Sequence, residues 1–301
     1  MKIIIFFISC LFTQNTPFFS GDMAFQFLLE QCEIGPRYPG SKGHLKTKKY
    51  FEDYLITKSH KLEIMDEKIK HPYKDLQLEL TNYMARYYPE RENRIMFMAH
   101  WDTREIADKD PIKENRNLPI LGANDGASGI AILMVLADML TKNPLYNIGV
   151  DLLFLDGEDM GQSGDINGFG LGTLEFTKNM PLPLPKYAIC LDMVADKEPS
   201  FPMEIFSLKQ APELVYKVWD IANDLGYYQF KREIGQAVYD DHRVLYLNSG
   251  IPSIDIIDFE YPNADTNYWH TLSDVPENCS KNTLEMVGNV VTTLIFMEDN
   301  Q

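Results

Sequence analysis

Apolar and polar positions along the chain change period from block to block. Residues 25–31 (FQFLLEQ) carry helical spacing, with Asp22 as the predicted N-cap. The turn-forming run 35–41 (GPRYPGS) ends that helix. A second helix is predicted over 43–58, where Tyr50, Tyr54 and Leu55 fall at helical spacing. Residues 62–69 and 76–86 alternate or run apolar in β-forming types, and they read as two strands. After the charged turn 87–93, the apolar run 95–99 ends in His100-Trp101-Asp102.

From there strands and helices alternate. Helices are predicted over 130–141, 212–225 and 284–297, and strands over 149–156, 187–193 and 251–258. Residues 176–180 close a loop or short helix, and 181–185 (PLPLP) form a rigid connector. The run 149–155 is almost unbroken in apolar residues, which suits a strand buried on both faces. Such alternation implies an α/β three-layer sandwich. A central mixed, mostly parallel twisted sheet would lie between helices on both faces. Ligands of such sheets sit beyond the carboxyl ends of the strands.

Length and charge narrow the picture. The 301 residues suit a leader and short linker over 1–20 and a single catalytic domain over 21–301. With 44 acidic against 28 basic residues the net charge is −16, which argues against nucleic acid as a partner. A monomer is expected. Lys2 precedes a short apolar run that turns polar at Gln14. The run is too short to span a bilayer and fits the core of an export signal. Ser9-Cys10 also resembles a bacterial lipoprotein processing site, where Cys10 becomes the lipidated first residue. The protein is therefore expected outside the cytoplasm, periplasmic or extracellular, with a lipid anchor at Cys10 as its one route to a membrane. The other cysteines, Cys32, Cys190 and Cys279, make no CxxC pair, so a cysteine zinc site is disfavoured. Cys190 reads as a small core residue.

The candidate chemistry lies at strand ends. One ends at His100-Trp101-Asp102 and leads into Gly122-Ala123-Asn124-Asp125-Gly126. A second ends at Asp156-Gly157-Glu158-Asp159 and a third at Leu191-Asp192-Met193. After the last comes Asn267-Tyr268-Trp269-His270-Thr271. A single acid at a loop start is ordinarily a helix cap. Several on one sheet edge would converge on a shared site. Carboxylate oxygens with one His nitrogen and an open position are how catalytic zinc is held, and Asp125, Asp159 and His270 can supply them. Successive side chains diverge, so Glu158 and Asp159 cannot both serve one ion. One can bind metal while the other faces substrate as a general base.

These motifs, in this order, resemble the M28-type zinc aminopeptidases and their relatives, the glutaminyl cyclases of the animal and bacteroidete type. The cyclase-like details are Trp269 directly before His270, Asp240-Asp241-His242 ahead of the last strand, and the 35–41 run. The resemblance runs from about Phe25 to the C-terminus. It implies a zinc exopeptidase-like fold and one zinc held by Asp125, Asp159 and His270, with Asp at 159 in place of the usual Glu. It implies Glu158 as general acid and base, Asp192 and Asp240 as acids hydrogen-bonded around it, and Trp269 beside the substrate. The substrates implied are peptides and proteins beginning with glutamine, cyclised to pyroglutamate with loss of ammonia. Asp255 stands where the animal enzymes carry a His, and either joins the acid network near the substrate or is a buried partner. Phe169, Phe259 and Tyr268 are further pocket candidates, with core packing as the alternative for each. The rival readings are a two-zinc aminopeptidase and a cell-surface binding module that keeps the fold. In the aminopeptidase His100 and Asp192 would hold the second ion and Asp125 would bridge.

Overall fold

A computed structural model describes residues 16–301. The expected leader through residue 15, with Cys10, lies outside the described residues. Among the described residues no helix is long and apolar enough to cross a membrane.

The chain runs α1 (Gly21–Ile34), α2 (Lys42–Leu55), β1 (Lys61–Lys70), β2 (Gln77–Tyr87), β3 (Arg94–His100) and α3 (Ala127–Lys142). Then follow β4 (Gly149–Leu155), α4 (Leu171–Phe176), β5 (Ala188–Asp192), β6 (Phe201–Met203), α5 (Ile205–Gln210) and α6 (Pro212–Asp224). The last elements are β7 (Phe230–Ile234), α7 (Asp241–Ser249), β8 (Ser253–Ile257) and α8 (Lys281–Asp299). The main sheet has the order β1-β2-β4-β3-β5-β8. Strands β4, β3, β5 and β8 are mutually parallel, while β1 and β2 add an antiparallel edge. This is the mixed, mostly parallel sheet of the sequence reading.

The apolar runs divide between two cores with a period of two. Ile95, Phe97 and Ala99 of β3, with Val150, Leu152 and Phe154 of β4, join the larger core beneath α1, α2, α3 and α8. Met96, Met98, Leu153, Leu155 and Cys190 face the smaller core, which Leu245 of α7 completes. Both faces are dry, so no polar alternation survives in the sequence. Helix α3 is buried from Ala127 to Leu140, which explains why its run is apolar on every side.

Several details differ from the sequence reading. Ser20, not Asp22, caps α1, its hydroxyl accepting from the Met23 amide at 3.2 Å. Asp22 falls in the first helical turn, where a carboxylate also suits the helix dipole. The short helix near residue 176 is α4 and ends at Phe176, where the prediction began it. The β6 and β7 pair was not predicted, because it is short and β7 is mostly exposed and charged. Nor was α7 predicted, although Asp240 caps it and Gly250 closes it in a left-handed conformation, both ordinary helix boundary signals.

Candidate active site

Parallel connectivity puts the carboxyl ends of β3, β4, β5 and β8 on one sheet edge, and the predicted residues gather there. His100 is the last residue of β3. Its Nε2 lies 3.2 Å from Asp192 Oδ1 at the end of β5, and 3.2 Å from Asp125 Oδ1. Asp125 stands in the turn that starts α3. Gly126 takes φ +105 there, and a Cβ would come 2.5 Å from the Asp102 carbonyl oxygen. Gly129, one turn on, lets the helix touch β5, since a Cβ would meet Leu191 O at 2.0 Å. Both glycines are demanded by close approach of backbone.

Asp102 braces the next turn. Its carboxylate accepts the backbone amides of Glu158 at 3.0 Å and Asp159 at 3.1 Å. The two side chains then enter different surroundings. Asp159 Oδ1 is 3.2 Å from His270 Nε2 and accepts from Arg104 Nη1 at 2.8 Å. Glu158 instead faces the acids Asp240 and Asp241. Asp240 caps α7 and accepts from the Cys190 thiol at 3.6 Å. Asp255, in β8, is fully buried, with an oxygen 3.6 Å from His242 Nδ1. That places Asp255 within the acid network, away from any open surface.

Aromatic side chains form one wall. The Trp269 indole stacks on the His270 ring at 3.7 Å between centroids, and Phe259 packs on Trp269 at 5.0 Å. Tyr268 turns its ring edge-on to buried Tyr261 at 5.4 Å and packs on the same cluster. Phe169 lies apart from this wall. It packs at Gly161 and beside the Arg104 guanidinium, behind Asp159.

The ligand atoms of Asp125, Asp159 and His270 lie within 4.8 Å of one another. Asp125 Oδ2 and Asp159 Oδ2 are buried with no hydrogen-bond partner. Buried carboxylate oxygens are ordinarily satisfied, so this pair is arranged for a cation. Two oxygens and one imidazole nitrogen suit zinc, whose catalytic sites take three protein ligands and leave the fourth position for water or substrate. The ligand atoms of His100, Asp125 and Asp192 likewise lie within 4.8 Å of one another.

Residues 82–295 match the model of peptidase family M28. The chain belongs to that family. A crystal structure of the Bacteroides thetaiotaomicron glutaminyl cyclase bound to N-acetylhistamine is 33% identical. It matches over 94% of this chain and 99% of its own, with a TM-score of 0.89. A Zn-dependent exopeptidase from Parabacteroides distasonis is 32% identical over 94% and 99% of the two chains, also with a TM-score of 0.89. Among curated relatives, the glutaminyl-peptide cyclotransferase of Bos taurus is 22% identical, covering 86% of this chain and 78% of its own. The resemblance read from the motifs thus extends over the whole described fold, and the family points to zinc as the metal.

The M28 site holds two kinds of carboxylate. Burial alone would push Asp159 up, but His270 and Arg104 override it and hold it below its ordinary range. Burial and the Asp240 carboxylate drive Glu158 well above its ordinary range, against the pull of His100. Burial takes Asp192 up to about 7, with His100 opposing. Asp255 and Asp241 are raised by burial and then by Asp240. Burial would lower the His100 ring, yet the carboxylates of Asp102, Asp125 and Asp192 raise it well above its ordinary value.

Several residues of the site escaped the sequence reading. Asp274 accepts the amides of Asn124 at 2.8 Å and Asp125 at 3.2 Å, which fixes the metal-side turn. Arg37, from the 35–41 run, is fully buried and donates to the carbonyls of Gln31, Trp101, Leu121 and Gly122. That motif is therefore a brace between the strand-end loops. Trp101 points away from the site, stacked on His44. A buried Arg after Gly-Pro was the available signal for Arg37. Nothing local marked Asp274.

Proposed function

We propose that the protein cyclises the N-terminal glutamine of peptides and proteins to pyroglutamate and releases ammonia. The observation that carries this reading is a buried acid with a raised proton affinity, Glu158, next to a metal-type triad and an indole wall. The kinship with glutaminyl cyclases supports it.

In the reaction the α-amine attacks the side-chain amide carbon, a carbon–nitrogen bond forms, and the bond to the amide nitrogen breaks. Glu158 takes the proton from the amine and returns it to the departing nitrogen, which leaves as ammonia. A carboxyl held well above its usual range suits both halves of that transfer near neutral pH. Burial and then the Asp240 carboxylate keep Glu158 in that range, and Asp192 and Asp255 belong to the same crowded set of acids, which cannot all ionise. Trp269 packs on the glutamine side chain and holds it folded toward its own amine, so that the attack is intramolecular. Asp125, Asp159 and His270 hold one zinc ion, which supplies Lewis-acid polarisation of the amide carbonyl when bound.

The same reading assigns residues 21–301 to one catalytic domain in a monomer. The leader exports it to the periplasm or the cell exterior, with Cys10 as the site of any lipid anchor.

A second reading draws on the His100–Asp125–Asp192 group, whose ligand atoms also lie within 4.8 Å of one another. Two ions would make the protein an aminopeptidase, with Glu158 activating water. Incubation with a peptide beginning with glutamine separates the two. Ammonia release, with a peptide lighter by one ammonia and otherwise intact, is the expected result. Free glutamine and a shortened peptide would overturn it in favour of hydrolysis.

A further inference from the structure

Arg104 does more than hold the Asp159 carboxylate ionised: with Asp108 it joins two of the proposed zinc ligands. Arg104 is buried. Its Nη1 donates to Asp159 Oδ1 at 2.8 Å, and its Nε donates to Asp108 Oδ1 at 2.5 Å. The same Asp108 oxygen lies 3.4 Å from His270 Nδ1, an ion-pair contact without the alignment of a hydrogen bond, and Nδ1 has no other partner. The guanidinium fork thus spans from one ligand to the carboxylate behind the other.

The consequences differ for the two ligands. With Arg104 on Oδ1, Asp159 keeps one buried, unpartnered oxygen, Oδ2. For His270, a carboxylate facing Nδ1 favours the tautomer with the proton there and leaves the Nε2 lone pair toward Asp125 and Asp159. The loop that carries Asp108 also holds the backbone of His270. The Lys109 amide donates to the His270 carbonyl at 3.2 Å, and the Leu272 amide donates to Asp110 Oδ2 at 3.0 Å. His270 sits at φ +57, a left-handed conformation that non-glycine residues rarely adopt. Such a backbone persists only where its surroundings fix it.

We propose that Arg104 and Asp108 are positioning residues of the metal centre, a clamp that locks Asp159 and His270 into one unit and presents a single Asp159 oxygen. This rests on the zinc reading above. Lysine cannot replace Arg104, because a point charge cannot hold two carboxylates at fixed angles.

The test loads the full protein with zinc and measures its release to a chromogenic chelator, without substrate. Arg104→Lys and Asp108→Asn should each lose zinc about 10- to 100-fold faster. The double variant should stay within about threefold of the worse single variant, because the two act as one device. Cobalt(II)-loaded variants should also show shifted visible bands relative to the cobalt-loaded parent. Release as slow as in the parent, or losses that multiply in the double variant, would overturn the clamp. If Arg104→Lys fails to fold, Asp108→Asn decides alone, since Asp108 is only partly buried. A protein that binds zinc this way and leaves glutamine uncyclised would sink the functional reading and spare the clamp.

Discussion

The two sides of the site are built from the same residue type and behave in opposite ways. On the metal side, Asp159 meets Arg104 and His270, and Asp125 receives its place from a turn whose amides bond Asp274. On the acid side, Glu158, Asp192, Asp240, Asp241 and Asp255 meet chiefly one another, with His100 as the main opposing charge. All are buried to a similar degree, so burial cannot tell them apart. Partners do. A carboxylate beside a guanidinium stays ionised and can ligate a cation. A carboxylate among carboxylates keeps a proton and can pass it on. Glu158 and Asp159 are neighbours in the chain and fall on opposite sides of this divide.

The largest expected effect comes from emptying the metal side. Chelation should lower turnover by about 10³-fold or more, the scale of several kcal/mol of charge stabilisation. Zinc added back should restore it, as an ammonia-release assay would register. Full activity in metal-free protein would erase the division. Glu158→Gln attacks the acid side alone. It should lower kcat by about 10²- to 10⁴-fold while metal content, read by elemental analysis, stays at the parent level. Loss of metal in that variant would mean the two sides are one.

Trp269 borders the metal side through its stacking on His270. Trp269→Ala should cost about tenfold in kcat/KM, the worth of one aromatic contact, with zinc still bound. A mild effect here beside a severe one on peptide hydrolysis would favour the aminopeptidase.

Asp258 shows the effect of burial away from the site, with Asp196 and Glu260 adding to it. It accepts the amides of Ser200 and Glu260, and burial lifts it to about 7. Its unfolded value is near 3.9, so the folded chain binds the extra proton between about pH 4 and 7. Stability contributed by this group is therefore greatest below pH 4. It falls as pH rises through 7, by at most about 1.4 kcal/mol per pH unit. Asp258→Asn should flatten that slope in denaturant melts collected across the window. An unchanged slope would show that burial there is too weak to hold the proton.

Much of this was legible in the sequence. Apolar runs marked β3, β4 and β5 as strands, and β4 as one buried on both faces. Turn residues marked their ends, and acids placed at those ends marked the sheet edge that matters. These are local properties, carried by side-chain period and backbone preference within a few residues. The pair β6 and β7 was illegible for the same reason, since β6 is only three residues long and β7 is charged and mostly exposed.

The tertiary structure decided who faces whom. Asp159 and Arg104 are 55 positions apart, and Asp274 and Asn124 are 150 apart. No local rule pairs them. They meet because parallel strand connections return each strand end to the same edge. Sequence spacing could say that Glu158 and Asp159 diverge. Only the fold could give one of them an arginine and the other a ring of acids, and that difference in partners sets which carboxylate ligates and which carries the proton.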